Sequence, residues 1–226
     1  TAVMLKGEAA KSFTLMFLQM WGIEEKALEI YKYINIQVPP EKQAKGYVIP
    51  YGDCPLDDDK AGERVYMDIL NRANKYVHIM TPYLILDNEM MTTLTRVAKC
   101  GVEVIIIMPH IPDKWYAFAV AKTYYKELIE AGVQIYEYLP GFVHAKVFVS
   151  DDDTATVGTI NLDYRSLYLH FENGVFLYGC KAVQDMKVDY EETMEKSREV
   201  TKEYQKLTSA AAAVKRSVLR LFAPLL

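Results

Sequence analysis

The run "VEVIIIMP" at residues 102–109 constrains this chain more than any other stretch. Its apolar, β-branched positions follow one another almost without a break, whereas a strand wetted on one face would alternate. Both faces of this strand therefore need cover, and its flanks offer it. Before it, "DNEMMTTLTRVAKCG" opens on an Asp/Asn cap and closes at Gly101; after it, "KWYAFAVAKTYYKELIEAG" reads as a helix closed by Gly132. "DKAGERVYMDILNRANK" adds a further amphipathic helix, and "YVHIMTPYL" and "VQIYEYLP" add strand-like runs. Strands alternating with helices predict an α/β sandwich. "VHAKVFVSD", "TATVG" and "NGVFLYG" then come as three strand-like runs with short links. Such links are hairpin-like, so the sheet is expected to be mixed. "YVIPYGD" is a short strand near the start.

The flanks divide the chain further. In "KGEAAKSFTLMFLQMWGIEEKALEIYKYI", Phe13, Phe17, Met20 and Trp21 share a helical face, which predicts core packing, and Gly22 ends the helix. "NIQVPPEKQAK" is a linker, because Pro39 and Pro40 suit neither helix nor central strand. Lys181 to Leu207 reads as one long charged helix. The expected organisation is N-terminal helices and linker over 1–45, an α/β unit over 46–209, and an amphipathic tail over 210–226. That tail, "VLRLFAPLL" with Arg216 and Arg220, could lie on a bilayer or dock on the domain, and docking is the expectation.

A net charge of −4 over 226 residues offers no bulk attraction to nucleic acid or anionic lipid. Cys54, Cys100 and Cys180 are too few and too scattered for a disulfide framework and point to a reducing compartment. No CxxC or HExxH spacing suggests a metal, and no cofactor is expected. No apolar run approaches the roughly 20 residues of a membrane span.

"FVHAKVFVSDDDTATVGTINLDYRSLYLHFE", residues 142–172, holds the densest polar chemistry. Read as strand, it projects His144 and Lys146 from one face, since i and i+2 share a side. An imidazole beside an ammonium fits poorly in a core and well beneath an anion such as phosphate. Lysine would neutralise phosphate oxygens, and histidine would attack phosphorus or move a proton. For the triplet alone, an edge strand with a wet polar face is the better reading. The residues after it favour a site: Asp151, then Gly158 for close approach, Thr159 and Asn161 as donors to an oxyanion, and Glu172 as partner for an imidazole N–H. His78 and His110, in or beside apolar strands, read as structural, and so does His170 as a surface or packing residue.

HxKxxxxD followed by G-[ST]-x-N resembles the signature of the phospholipase D superfamily. "NLDYRSLYLHFE", "TPYLILDNEMMTTL", "YYKELIEAGVQIYEYLPGFVHAK" and "RLFAPLL" are similar to its bacterial cardiolipin synthase branch. Two departures stand out: His170 replaces a common asparagine, and Asp57 to Asp59 occupy a loop where others carry Ser-Gly-Pro. The resemblance implies a phospholipase D-like α-β-α sandwich, half of a two-lobed fold with one HxK motif per half. Here there is one, since His78, His110 and His170 are followed at i+2 by Met80, Pro112 and Glu172. Together with the non-methionine Thr1, this implies the C-terminal half of a longer enzyme of the bacterial cytoplasmic membrane, with the missing half as partner. The reaction implied is phosphatidyl transfer between two phosphatidylglycerols through a phosphohistidine, without metal and without nucleic acid. By the same analogy His144 is general acid, then base. Lys146, Thr159 and Asn161 hold phosphate oxygens, Glu172 orients an imidazole, and Asp151 braces the motif. Arg165 would contact lipid, with pairing to Asp163 or to the acidic cluster as the competing reading. Three alternatives remain: a homodimeric nuclease or phosphodiesterase of the superfamily, a phosphatidylserine synthase-like transferase, and a non-catalytic phospholipid-binding module.

Overall fold

The computed structural model describes residues 1–25, 29–37, 45–204 and 218–225. The Pro39–Pro40 linker, the end of the expected long helix and the four alanines at 210–213 lie largely outside them. The elements run α1 (Ala9–Trp21), α2 (Tyr31–Ile34), β1 (Tyr47–Asp53), α3 (Ala61–Arg72), β2 (Tyr76–Met80), α4 (Asn88–Lys99), β3 (Glu103–Pro109) and α5 (Trp115–Glu130). They continue as β4 (Gln134–Tyr138), β5 (Val147–Ser150), β6 (Thr154–Gly158), α6 (Tyr164–Tyr168), β7 (Glu172–Tyr178), α7 (Lys181–Glu195), β8 (Ser197–Glu199) and α8 (Thr201–Tyr204).

The strands form one mixed sheet of eight, ordered β1-β7-β6-β5-β2-β3-β4-β8. β2, β3 and β4 are parallel and joined by helical crossovers; β5, β6 and β7 are antiparallel hairpin partners. Within β3 the pleat sends successive isoleucines to opposite faces. Ile106 joins Tyr66, Leu70 and Leu94 from α3 and α4 together with Leu128 from α5, while Ile105 and Ile107 join Val183, Met186 and Tyr190 from α7. The result is an α-β-α sandwich, and it explains the unbroken apolar run. A side chain such as Ile106, fully enclosed, contributes about 1.5–3 kcal/mol by leaving water. The caps read from sequence are present: the Asp87 carboxylate accepts the Met90 N–H at 2.8 Å, and Gly101 and Gly132 sit at positive φ just past α4 and α5.

Two expectations change. The charged segment from Lys181 is not one helix to 207, for α7 stops at Glu195 and β8 follows. β8 covers the edge of β4 in antiparallel register, setting Arg198 opposite Glu137, whose enclosed carboxylate lies 3.6 Å from the Arg198 guanidinium. That buried charge, also 2.8 Å from His110 Nδ1, gives the chain reason to leave the helix. The stripe on α1 is core only in part, for Phe13 packs against the cluster beneath α7 while the rest of it does not. Only Leu18 of this helix is buried; Phe17, Met20 and Trp21 are more than half exposed.

At the C-terminus the described residues dock. Arg220 pairs with Glu127 at 3.0 Å, donates to the Thr123 carbonyl at 3.0 Å and lies over the Tyr124 ring, and Ala223 is buried. Among the described residues no helix is long and apolar enough to cross a membrane.

Candidate active site

Strand direction gathers the polar residues on one rim of the sheet. β5 runs antiparallel to β2, so its first residue, Val147, pairs with the last residue of β2, Met80, and with Val157 near the end of β6. The approach to β5 therefore meets the exit of β6 and the start of β7. This brings His144, Lys146, the 158–161 segment and Glu172 to the same rim. Ser150 and Asp151 lie at the opposite rim.

His144 and Lys146 are not in the strand itself; they occupy the irregular segment leading into it. The Lys146 carbonyl nevertheless accepts the Gly158 N–H at 3.3 Å, so the ladder begins there in effect. Lys146 is 7% exposed, and its ammonium donates to the His144 carbonyl at 2.7 Å. No carboxylate forms an ion pair with it among the described residues, which leaves it donor capacity for an anion. Burial pushes its pKa down to about 8, against the pull of the Glu172 and Asp163 charges. His144 is exposed, and its ring packs at 5.5 Å on Phe142. Its pKa is lowered by partial burial and by the neighbouring Lys146 charge, against the opposing charge of Asp113. The pair thus favours a neutral imidazole beside a cation.

The other expected residues divide. Gly158 is required by backbone approach within the sheet, since a Cβ there would stand 2.3 Å from the Asn173 carbonyl oxygen. The Thr159 hydroxyl donates to Glu172, and the Asn161 amide nitrogen donates to Ser166 Oγ at 2.9 Å. Both donors are thereby engaged within the protein, and the Asn161 atom left over is Oδ1, buried and without a hydrogen-bond partner. The imidazole beside Glu172 belongs to His170, with Nδ1 at 3.6 Å, and not to His144.

Asp151 is a turn residue. Ser150 to Asp153 form a tight turn in which Asp151 and Asp152 have φ of 51° and 67°, a region aspartate tolerates better than most residues. The Asp151 carboxylate accepts the backbone N–H groups of Asn74, Lys75 and Tyr76 at 2.7–3.0 Å, pinning the β5–β6 hairpin to the start of β2. Burial opposes the charge of this carboxylate, but these hydrogen bonds outweigh it and hold the pKa below the usual range. Asp151→Ala is expected to cost about 1–3 kcal/mol. In a thermal melt at pH 7 that is a fall of roughly 3–10 °C. Because the folded pKa is depressed, the contribution is complete above the unfolded carboxylate pKa and vanishes as pH falls through the lowered value. The difference between wild type and variant should therefore shrink in acid.

Sequence reasoning missed the neighbours that come from the loops after β2 and β3. Tyr83 donates to Asp113 at 2.5 Å and packs at 6.4 Å on Phe142, which in turn contacts His144. Short polar loops carry no periodicity to mark them. His78 is structural as expected, lying between the rings of Tyr76 and Tyr190 and bonded to Glu103 at 2.8 Å. Among the described residues, the carboxylates of Glu63, Asp87 and Glu89 form the one group close enough to share a cation. Tyr168 already donates to both Glu63 and Asp87, and the group has no residue in common with the His144 rim.

The covered mixed sheet, with an imidazole and a buried ammonium on one rim, is an α-β-α sandwich of the α/β class. The family described as cardiolipin synthase, PLD-like domain, matches residues 66–194, and the chain belongs to it. An uncharacterized protein of Streptococcus mutans is 55% identical over all of this chain and 49% of its own length. Cardiolipin synthase 2 of Bacillus cereus is 33% identical over all of this chain and 44% of its own. The chain spans about half the length of the curated relatives it matches. Among solved structures, the phospholipase D family member Nuc from Salmonella typhimurium superposes with a TM-score of 0.58 at 16% identity, over 69% of this chain and 98% of Nuc. Phosphatidylserine synthase from Haemophilus influenzae gives 0.58 at 17% identity, over 79% and 48%. At these identities the likeness shows the fold alone. Membership of a catalytic family supports an enzymatic role.

Proposed function

We propose that this chain is one half of a cardiolipin-forming phosphatidyltransferase, acting at the bacterial cytoplasmic membrane within a longer protein. The observation that carries the reading is Lys146: an enclosed ammonium without an ion-pair partner among the described residues, beside an exposed imidazole on the rim of the sheet. An enclosed charge without a counterion is costly, and a phosphodiester supplies the missing anion.

In-line displacement at phosphorus needs a nucleophile on one side and a proton donor on the other. His144 and Lys146 lie on one rim and supply one side; the second imidazole comes from the other half. In the first step one imidazole nitrogen bonds to phosphorus of phosphatidylglycerol while the phosphorus–glycerol oxygen bond breaks. The other imidazole, His144 in this assignment, gives its proton to the departing glycerol. In the second step His144 takes the proton from a hydroxyl of another phosphatidylglycerol. That oxygen bonds to phosphorus, the phosphorus–nitrogen bond breaks, and the products sum to cardiolipin and glycerol. Lys146 holds the phosphate oxygens throughout. Glu172, fixed by Thr159, is available to orient an imidazole, Asn161 shapes the adjoining wall, and Asp151 braces the rim from afar.

Vesicles of labelled phosphatidylglycerol test the proposal. The longer protein should release cardiolipin and glycerol in equal amounts, undiminished by a chelator, whereas this 226-residue chain, purified as a monomer, should release neither. Robust turnover by the monomer would refute the half-site.

A further inference from the structure

Beside the His144 rim lies a cavity of about 230 Å³ whose wall includes Asn161, His170, Lys114, Arg165, Tyr116 and Asp163. Asn161 and His170 tie it to the site, His170 through Glu172 at 3.6 Å. Lys114, just before α5, and Arg165, in α6, come from different parts of the chain to one wall. Both are exposed, and among the described residues neither makes an ion pair or a side-chain hydrogen bond; Lys114 only overlies the Tyr83 ring at 5.8 Å. Asp163 would oppose an anion here, but its buried carboxylate is turned to the N–H of Ser166 at 2.8 Å as the cap of α6.

The chemistry of the proposed product gives this arrangement a use. Cardiolipin carries two phosphodiesters separated by a single glycerol, so an acceptor phosphatidylglycerol brings its own phosphate close to the phosphorus under attack. We infer that this cavity seats the acceptor's non-reacting phosphodiester between Lys114 and Arg165. This rests on the phosphatidyltransferase reading and adds to it a site that distinguishes a phosphate-bearing alcohol from a neutral one. A guanidinium and an ammonium together suit a phosphodiester, and neither makes an ion pair among the described residues.

The test uses the longer protein with phosphatidylglycerol as donor and three acceptors: phosphatidylglycerol, glycerophosphoglycerol and glycerol. The readout is the rate of phosphatidyl transfer to each. In Lys114→Ala and Arg165→Ala the preference for either phosphodiester acceptor over glycerol should fall about tenfold, and about a hundredfold in the double variant, through KM for the acceptor. Lys114→Arg should recover most of the preference. Equal loss on all three acceptors would overturn the subsite, since the residues would then serve folding or the common chemical step. Loss with phosphatidylglycerol alone would also overturn it, showing attraction to the lipid surface. A wild-type protein unable to transfer to any acceptor would instead remove the transferase reading, and the subsite with it.

Discussion

Replacing His144 by alanine in the longer protein should lower phosphatidyl transfer by roughly a thousandfold or more, the scale expected for losing a positioned acid–base group. Folding should barely change. The side chain is exposed, no hydrogen bond engages its imidazole among the described residues, and its ring rests against Phe142. Labelled-lipid turnover and a thermal melt on the same preparation check both halves of the statement. Activity within tenfold of wild type would take His144 out of the mechanism.

Lys146→Met should be comparably severe for transfer, by about a hundredfold to a thousandfold, because the cation that meets the developing charge on phosphate oxygens is gone. Its effect on stability should have the opposite sign. The folded pKa of about 8 lies below the value of a free lysine, so the fold carries a buried charge it would be more stable without. Wild-type stability should rise between pH 8 and the free-lysine pKa, where the unfolded chain still binds the proton and the folded chain has lost it. The methionine variant should lack that rise and be more stable at pH 7 by about 1–3 kcal/mol. Denaturant titrations at pH 7 and pH 9.5 measure the difference. The same shifts bear on the activity: His144 must carry a proton in the first step and be neutral in the second, a lowered pKa making the first harder to meet as pH rises, and Lys146 must stay charged, which fails above about pH 8. A variant that loses both activity and stability at pH 7 would mean that Lys146 serves the fold.

Much of the sandwich was legible because burial writes itself into periodicity. The β3 run demanded two covering layers, and both appear. What misled was pattern without context. The aromatic stripe of α1 has helical spacing, yet past Phe13 it lies on the surface, since spacing cannot say which residues find a partner. The charged segment after Lys181 has helical composition, yet the carboxylate of Glu137 on β4 draws Arg198 into an added strand. At the candidate site, the HxK pair could be read from sequence because two polar groups stood in an apolar approach. The spacing to Asp151 was legible too, but its turn geometry was not: four strand residues carry it to the far rim. Glu172 meets His170, two residues before it, and Thr159, which the β6–β7 pairing brings alongside; the residue types alone do not say which imidazole it faces. Lys114 and Asp113 were invisible for a different reason, lying in a loop whose charged residues look like ordinary surface.

The central claim is that a phosphorus centre sits over Lys146 and His144 and is completed from outside this chain. A crystal of the longer protein grown with vanadate, which mimics phosphorus under attack, tests it most directly. The account predicts vanadium bound between two imidazoles, one of them His144, with Lys146 Nζ within hydrogen-bond distance of a vanadate oxygen. Vanadate ordered at full occupancy elsewhere, with Lys146 still bonded only to the His144 carbonyl, would contradict it.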